Sequence, residues 1–248
     1  MTKAYKIGEQ MLTLSVIAEI ITQGQQLELG KKAKQKIQAC RDYLDDKMQK
    51  SDTPIYGINT GFGALCNHKI SNKDLGKLQN NLVLSHACGT GDKVPSEVVK
   101  IMLLLKVQSL SYGHSGVQVQ TVERLIEMFN KDILPVIFQQ GSLGASGDLA
   151  PLAHLSLPLL GEGKVTVDEV EVATSSIMKA NKWKAIKLQS KEGLALLNGT
   201  QFMGAYGVWS LLKAQKLSYM ADMIGAISLE AFDGRNECFD ELIHLVRP

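Results

Sequence analysis

The sequence predicts a mainly α-helical fold with one small β-hairpin, leading into a long-helix bundle. Three observations carry that prediction. Apolar residues return every three or four positions through most of the chain; valines alternate with polar residues once, in KVTVDEVEV (164–172); and the stretch from Thr200 to about Ala231 is apolar almost all round.

The elements follow in chain order. Ala33, Ile37, Cys40, Leu44 and Met48 share one face of a helix. Leu75, Leu78, Leu82 and His86 repeat the pattern until Gly89 stops it. Pro95-Ser96-Glu97 opens a third helix, with Val98, Ile101, Met102 and Leu105 inward and a close near Gly113. Val122, Leu125, Ile126 and Phe129 mark a fourth, ending before Pro135. The period of two over Lys164 to Val172 reads as a hairpin or an edge strand. A helix over 200–231 spans roughly 45–50 Å at 1.5 Å per residue. It is too apolar for a surface helix, so a bundle shared between subunits is expected to cover it.

Composition narrows the function classes. The 248 residues carry 27 basic and 25 acidic side chains, a formal charge of +2, so no extended basic surface and no nucleic-acid partner are expected. The run Lys31-Lys32-Ala33-Lys34-Gln35-Lys36 reads as a solvated helix face. The first residues lack the apolar core and cleavage site of a secretory signal. Gly193 to Leu212 is uncharged, yet Asn198, Thr200, Gln201 and Ser210 make it a buried helix rather than a membrane span. Cys40, Cys66, Cys88 and Cys238 have neither CxxC nor metal spacing, and they read as thiols of a cytoplasmic protein. His68, His114, His154 and His244 have no histidine partner four residues away, so no metal site is expected.

Four places carry candidate chemistry. Tyr56-Gly57-Ile58-Asn59-Thr60-Gly61-Phe62-Gly63 matches neither a dinucleotide fingerprint nor a P-loop. It reads either as a loop using glycines at positive φ or as a lid that carries Tyr56 into a site. His86 closes an amphipathic helix, as a core or capping residue or as a ligand-binding one. Asn198-Gly199-Thr200 precedes the long helix, where Asn198 or Thr200 either caps free N–H groups or meets a substrate carboxylate.

The fourth place is Gln140 to Pro151, QGSLGASGDLAP. Its plain reading is a glycine-rich loop with Asp148 capping the helix that follows. Its chemical reading is ring closure. Attack of the Gly147 nitrogen on the Ala145 carbonyl, with loss of water from the ring and from Ser146, leaves an exocyclic double bond conjugated to the ring. Glycine suits the attacking position because it tolerates a compressed turn. The product is an electrophile that no ordinary side chain supplies.

YGINTGFG, NLVLSHACGTG, GSLGASGDLAPLAHLSLPLLGEG, KEGLALLNGTQ and FDELIHLVRP together resemble the aromatic amino acid ammonia-lyase family. Its electrophile is 4-methylideneimidazole-5-one (MIO), formed autocatalytically from Ala-Ser-Gly with no external cofactor. The resemblance implies that Ala145, Ser146 and Gly147 form the ring and that Asp148 assists its formation or function. It also implies that Tyr56 does acid/base work and that Asn198 sits near the ring and the substrate carboxylate. The Ser85-His86 pair and the terminal FDELIHLVRP are most similar to the histidine branch, in which His86 orients an imidazole substrate. The implied reaction eliminates ammonia from L-histidine to give trans-urocanate.

Several expectations follow from the resemblance. Residues 1–197 form an ammonia-lyase-like, ring-bearing N-terminal domain, and 198–248 begin a central helical bundle. Family members are about twice this length and draw their sites from several subunits of a tetramer. The chain therefore reads as an N-terminal half with little or no activity by itself. The alternatives are a tyrosine or phenylalanine ammonia-lyase or aminomutase, or a helical fragment without catalysis.

Overall fold

The run Ile101 to Leu105 is apolar on every side of a helix, and the fold puts that helix at its centre. A computed structural model describes residues 4–50, 53–63, 67–71 and 73–246. Cys66, Arg247 and Pro248, singled out in the sequence, lie outside them. Packing divides the chain into two units, Met1–Trp209 and Ser210–Pro248.

The first unit opens with β1 (Tyr5–Ile7), α1 (Leu14–Thr22) and β2 (Leu27–Leu29), the two strands pairing in parallel. α2 (Lys31–Lys50) buries Ala33, Ile37, Arg41 and Leu44, while Lys31, Lys32, Lys34 and Lys36 stand exposed. α3 (Leu75–His86) runs into β3 (Thr90–Lys93). α4 (Ser96–Ser111) buries eleven of its side chains, Val98, Met102 and Lys106 among them, whereas Leu105 is only half-buried. A helix enclosed all round has no solvent face for a three-four pattern to mark. α5 (Val119–Asn130) is amphipathic as its spacing predicts, with Val122, Leu125, Ile126 and Phe129 inside.

β4 (Leu134–Pro135) and β5 (Phe138–Gln140) lead to α6 (Leu149–Leu160), which ends on Gly161 in the left-handed conformation. β6 (Lys164–Val167) and β7 (Val170–Ala173) form the expected hairpin, pairing Val165 with Val172 and joining β4 as a third strand. Its two-residue turn, Asp168-Glu169, has φ of 48° and 64°, the double positive φ of a tight hairpin. α7 (Thr174–Ala180) and α8 (Glu192–Leu197) follow. The buried Glu192 carboxylate fastens α8 to α5, accepting from Gln118 N, Thr121 Oγ1 and Gln189 N at 2.8 Å each.

α9 (Gln201–Ala231) is one helix of 31 residues. In the first unit its opening turns bury Ala205, and Trp209 Nε1 donates to Glu97 Oε2 (2.7 Å). The second unit holds the rest of α9, a 3-10 turn (Asn236–Phe239) and α10 (Glu241–Leu245), capped by Asp240 Oδ1 accepting from Leu242 N. There Leu217, Met220, Met223, Ile224, Ile227 and Phe232 are exposed. No helix among the described residues is long and apolar enough to cross a membrane.

Candidate functional site

β3 and β5 pair antiparallel, Thr90 opposite Gln140 and Lys93 opposite Phe138. That short ladder brings the turn after His86 beside the segment that enters Ala145-Ser146-Gly147. A Cβ on Gly141 would lie 3.0 Å from Gly89 Cα, so the two chains touch backbone to backbone. His154, from α6, fastens the same corner. Its Nε2 accepts from Gly89 N (3.0 Å) and its ring stands edge-on to Phe138. Burial lowers the His154 pKa and favours the neutral ring, whose bare nitrogen the Gly89 N–H requires.

His86 is half-buried in the last turn of α3. Its Nδ1 donates to Leu82 O (2.8 Å), so that nitrogen carries a proton and, in the neutral ring, Nε2 is the acceptor. Ser85 Oγ also reaches Leu82 O (3.1 Å) and lies 3.2 Å from the same Nδ1.

Ala145 and Ser146 are exposed. Gly147 has φ of +119°, and a Cβ there would lie 2.8 Å from Asn198 Oδ1 and 3.0 and 3.1 Å from Gly199 N and O. Only glycine fits that approach. Ser142 Oγ donates to Gly147 O (3.1 Å), folding the turn back on itself. Among the described residues, neither the Gly147 N–H nor the Ala145 carbonyl has a hydrogen-bond partner. Those are the two groups that ring closure would join, so the segment fits the chemistry read from its sequence.

Asp148 occupies the N-cap position just before α6, but its side chain does not cap that helix. Its side chain makes no bond to its own helix. It is 3% exposed, and its Oδ2 accepts from Met203 N (3.0 Å), satisfying a free N–H in the first turn of α9. Its own N–H donates to Gly199 O (2.8 Å). The cap expected within α6 is thus made across the fold, to the helix that Asn198 and Thr200 precede. Asn198 instead closes α8, its N–H donating to Leu194 O (2.9 Å).

Tyr56 is 57% exposed and meets Phe62 edge to face at 6.0 Å. Its loop is internally bonded: buried Asn59 accepts from Ile55 N (2.6 Å) and donates to Thr53 O (3.0 Å), and Gly57 N donates to Thr60 Oγ1 (3.3 Å). A Cβ on Gly57 would strike Leu194 Cδ2, so the loop rests on α8, the helix that ends at Asn198. No hydrogen bond among the described residues joins Tyr56 or His86 to residues 145–147.

Lys106 has no part in the sequence reading, although a lone lysine within IMLLLKVQSL is a visible anomaly. It is 1% exposed, and its Nζ donates to Ala195 O (2.8 Å). Burial pulls its pKa down to about 7, against the opposing attraction of Asp148.

Known proteins resemble this chain in sequence and in fold. The family described as aromatic amino acid lyase matches residues 12–248. Histidine ammonia-lyase 2 of Fusobacterium nucleatum is 40% identical over 248 residues, all of this chain and 48% of that protein. Histidine ammonia-lyase of Deinococcus radiodurans is 44% identical, covering 98% of this chain and 46% of its own length. The crystal structure of histidine ammonia-lyase from Trypanosoma cruzi superposes with a TM-score of 0.89 at 35% identity, over 98% of this chain and 47% of that one. Phenylalanine aminomutase of Pantoea agglomerans superposes at 0.90 with 28% identity, over all of this chain and 47% of that one. The chain spans about half the length of the curated relatives it matches. Its helical architecture is theirs, and the chain belongs to the aromatic amino acid lyase family.

Proposed function

We propose that this chain is the ring-bearing half of a histidine ammonia-lyase, which removes ammonia from L-histidine to give trans-urocanate. The observation that carries the reading is the Ala145-Ser146-Gly147 turn, pressed on Asn198 and Gly199 with its two ring-forming groups unpartnered. Identities of about 40% to proteins named histidine ammonia-lyase support the substrate.

Ala145, Ser146 and Gly147 would supply the MIO group, an electrophile that makes the substrate amine a better leaving group. In the elimination the Cβ–H and Cα–N bonds of histidine break and a Cα=Cβ double bond forms. The β-proton is weakly acidic, so a positioned base is needed, and Tyr56 on its glycine-flanked loop is the candidate in this chain. His86 orients the substrate: with its proton held on Nδ1 by Leu82 O, its Nε2 can accept the imidazole N–H. Asn198 would bind the substrate carboxylate, a role supported by its contact with Gly147, and Asp148 holds the turn through Gly199 O and Met203 N. Residues 1–197 are read as the ring-bearing domain and 198–248 as the start of a bundle. The reading includes a homotetramer in the cytoplasm, with the 248-residue chain alone turning over little or no histidine.

The test is turnover by the native gene product, following urocanate by its ultraviolet absorbance, with tyrosine and phenylalanine as competitors. Histidine is expected to be preferred, and Ser146→Ala to abolish the activity. Preference for tyrosine or phenylalanine would refute the substrate assignment.

A further inference from the structure

The buried ammonium of Lys106 sits where two helices meet the segment that would form the ring. Its Nζ donates to Ala195 O (2.8 Å), in α8 just before Asn198, and lies 3.5 Å from Gln201 Oε1, at the start of α9. These contacts straddle the Asn198-Gly199-Thr200 turn. Asp148 grips the same segment through Gly199 O and Met203 N. When protonated, Lys106 is attracted by the opposite charge of Asp148. Gly147 rests on that turn, too close to Asn198 and Gly199 for any side chain.

A lysine is costly here, because burial removes the water that would solvate it. A methionine would fill the same space, and it would leave Ala195 O without its donor and Asp148 facing no positive charge. We propose that Lys106 is a positioning residue for ring closure. Anchored on Ala195 O and beside Gln201, it holds the Asn198–Gly199 turn against Gly147 and so sets the backbone of the ring-forming segment. This rests on the proposed function, since ring closure is what the positioning serves.

The step balances without an oxidant. A bond forms between Gly147 N and Ala145 C, and the Ala145 oxygen leaves as water with the protons of the Gly147 and Ser146 nitrogens. The Ser146 hydroxyl leaves as a second water with the Ser146 α-proton. Lys106 touches neither reacting atom and acts only through the turn and Asp148.

The test measures, in the native gene product, the mass of the peptide carrying residues 145–147 as a function of time after synthesis. Circular dichroism reports the fold in parallel. The unsubstituted protein is expected to lose two waters. Lys106→Met is expected to slow that loss about tenfold or more with helix content kept, and Lys106→Arg to stay within about threefold. On an Asp148→Asn background, Lys106→Met is expected to add little, because the two act as a unit. Ring closure in Lys106→Met as fast as in the unsubstituted protein would overturn the inference and leave the proposed function standing. So would a full further tenfold loss on the Asp148→Asn background. If Lys106→Met fails to fold, Lys106→Arg decides: a folded arginine variant that closes the ring tenfold slower counts against the role. An unsubstituted protein that keeps both waters would overturn the proposed function, and this inference with it.

Discussion

Gly147→Ala is the sharpest perturbation the fold offers, because its cost has two separable sources. The first is backbone: at φ +119° an L-residue is strained by about 1–3 kcal/mol. The second is steric. The new methyl would lie 2.8 Å from Asn198 Oδ1 and 3.0 and 3.1 Å from Gly199 N and O. Asn198 can rotate away, but Gly199 cannot, since its carbonyl accepts from Asp148 N (2.8 Å) and Asp148 in turn caps α9. Overpacking of this kind adds about 1–3 kcal/mol. The expected loss is therefore about 2–6 kcal/mol in unfolding by urea, read as a lower midpoint at unchanged slope. Gly144→Ala is the internal control. Its φ is +75°, and a Cβ there would meet nothing within 4 Å beyond its chain neighbours, so only a backbone cost of about 1–2 kcal/mol applies. If Gly147→Ala is no more destabilising than Gly144→Ala, the close packing of Gly147 on the Asn198–Gly199 turn is wrong.

Two further predictions concern the buried lysine and the second unit. Between pH 7 and pH 10.5 the unfolded chain binds the Lys106 proton and the folded chain sheds it, so this group adds stability as pH rises. From pH 7 to pH 9 the gain is about 2 kcal/mol, and Lys106→Met should remove it; identical pH slopes in the two proteins would contradict the burial of that charge. The exposed Leu217, Met220, Ile224 and Ile227 make an apolar surface on α9, so the isolated 248-residue chain should self-associate. Light scattering that shows a clean monomer at micromolar concentration would refute this, and Ile224→Glu should weaken the association.

Periodicity revealed the helices whose faces differ, α2, α3 and α5, and alternation revealed the β6–β7 hairpin. It could not mark β1 and β2, three residues each, or β3, whose four residues are all exposed. The candidate site was legible only where local chemistry announces it, in the small residues around Ser146. Its supports are long-range. Gly89 meets His154 across 65 positions, Asp148 reaches Met203 across 55, and Lys106 reaches Ala195 across 89. No local pattern encodes such pairings, because each depends on where two helices dock. Asp148 shows the consequence: beside a helix start it reads as that helix's cap, and only the approach of α9 redirects its carboxylate.

The central claim is that Ala145, Ser146 and Gly147 become an electrophile. The most direct measurement is the mass of the proteolytic peptide that contains them, taken from the native gene product beside a Ser146→Ala control. The account predicts a peptide lighter than its sequence by two waters, with the loss absent from the control. A peptide at its full sequence mass, or the same loss in the Ser146→Ala control, would contradict it.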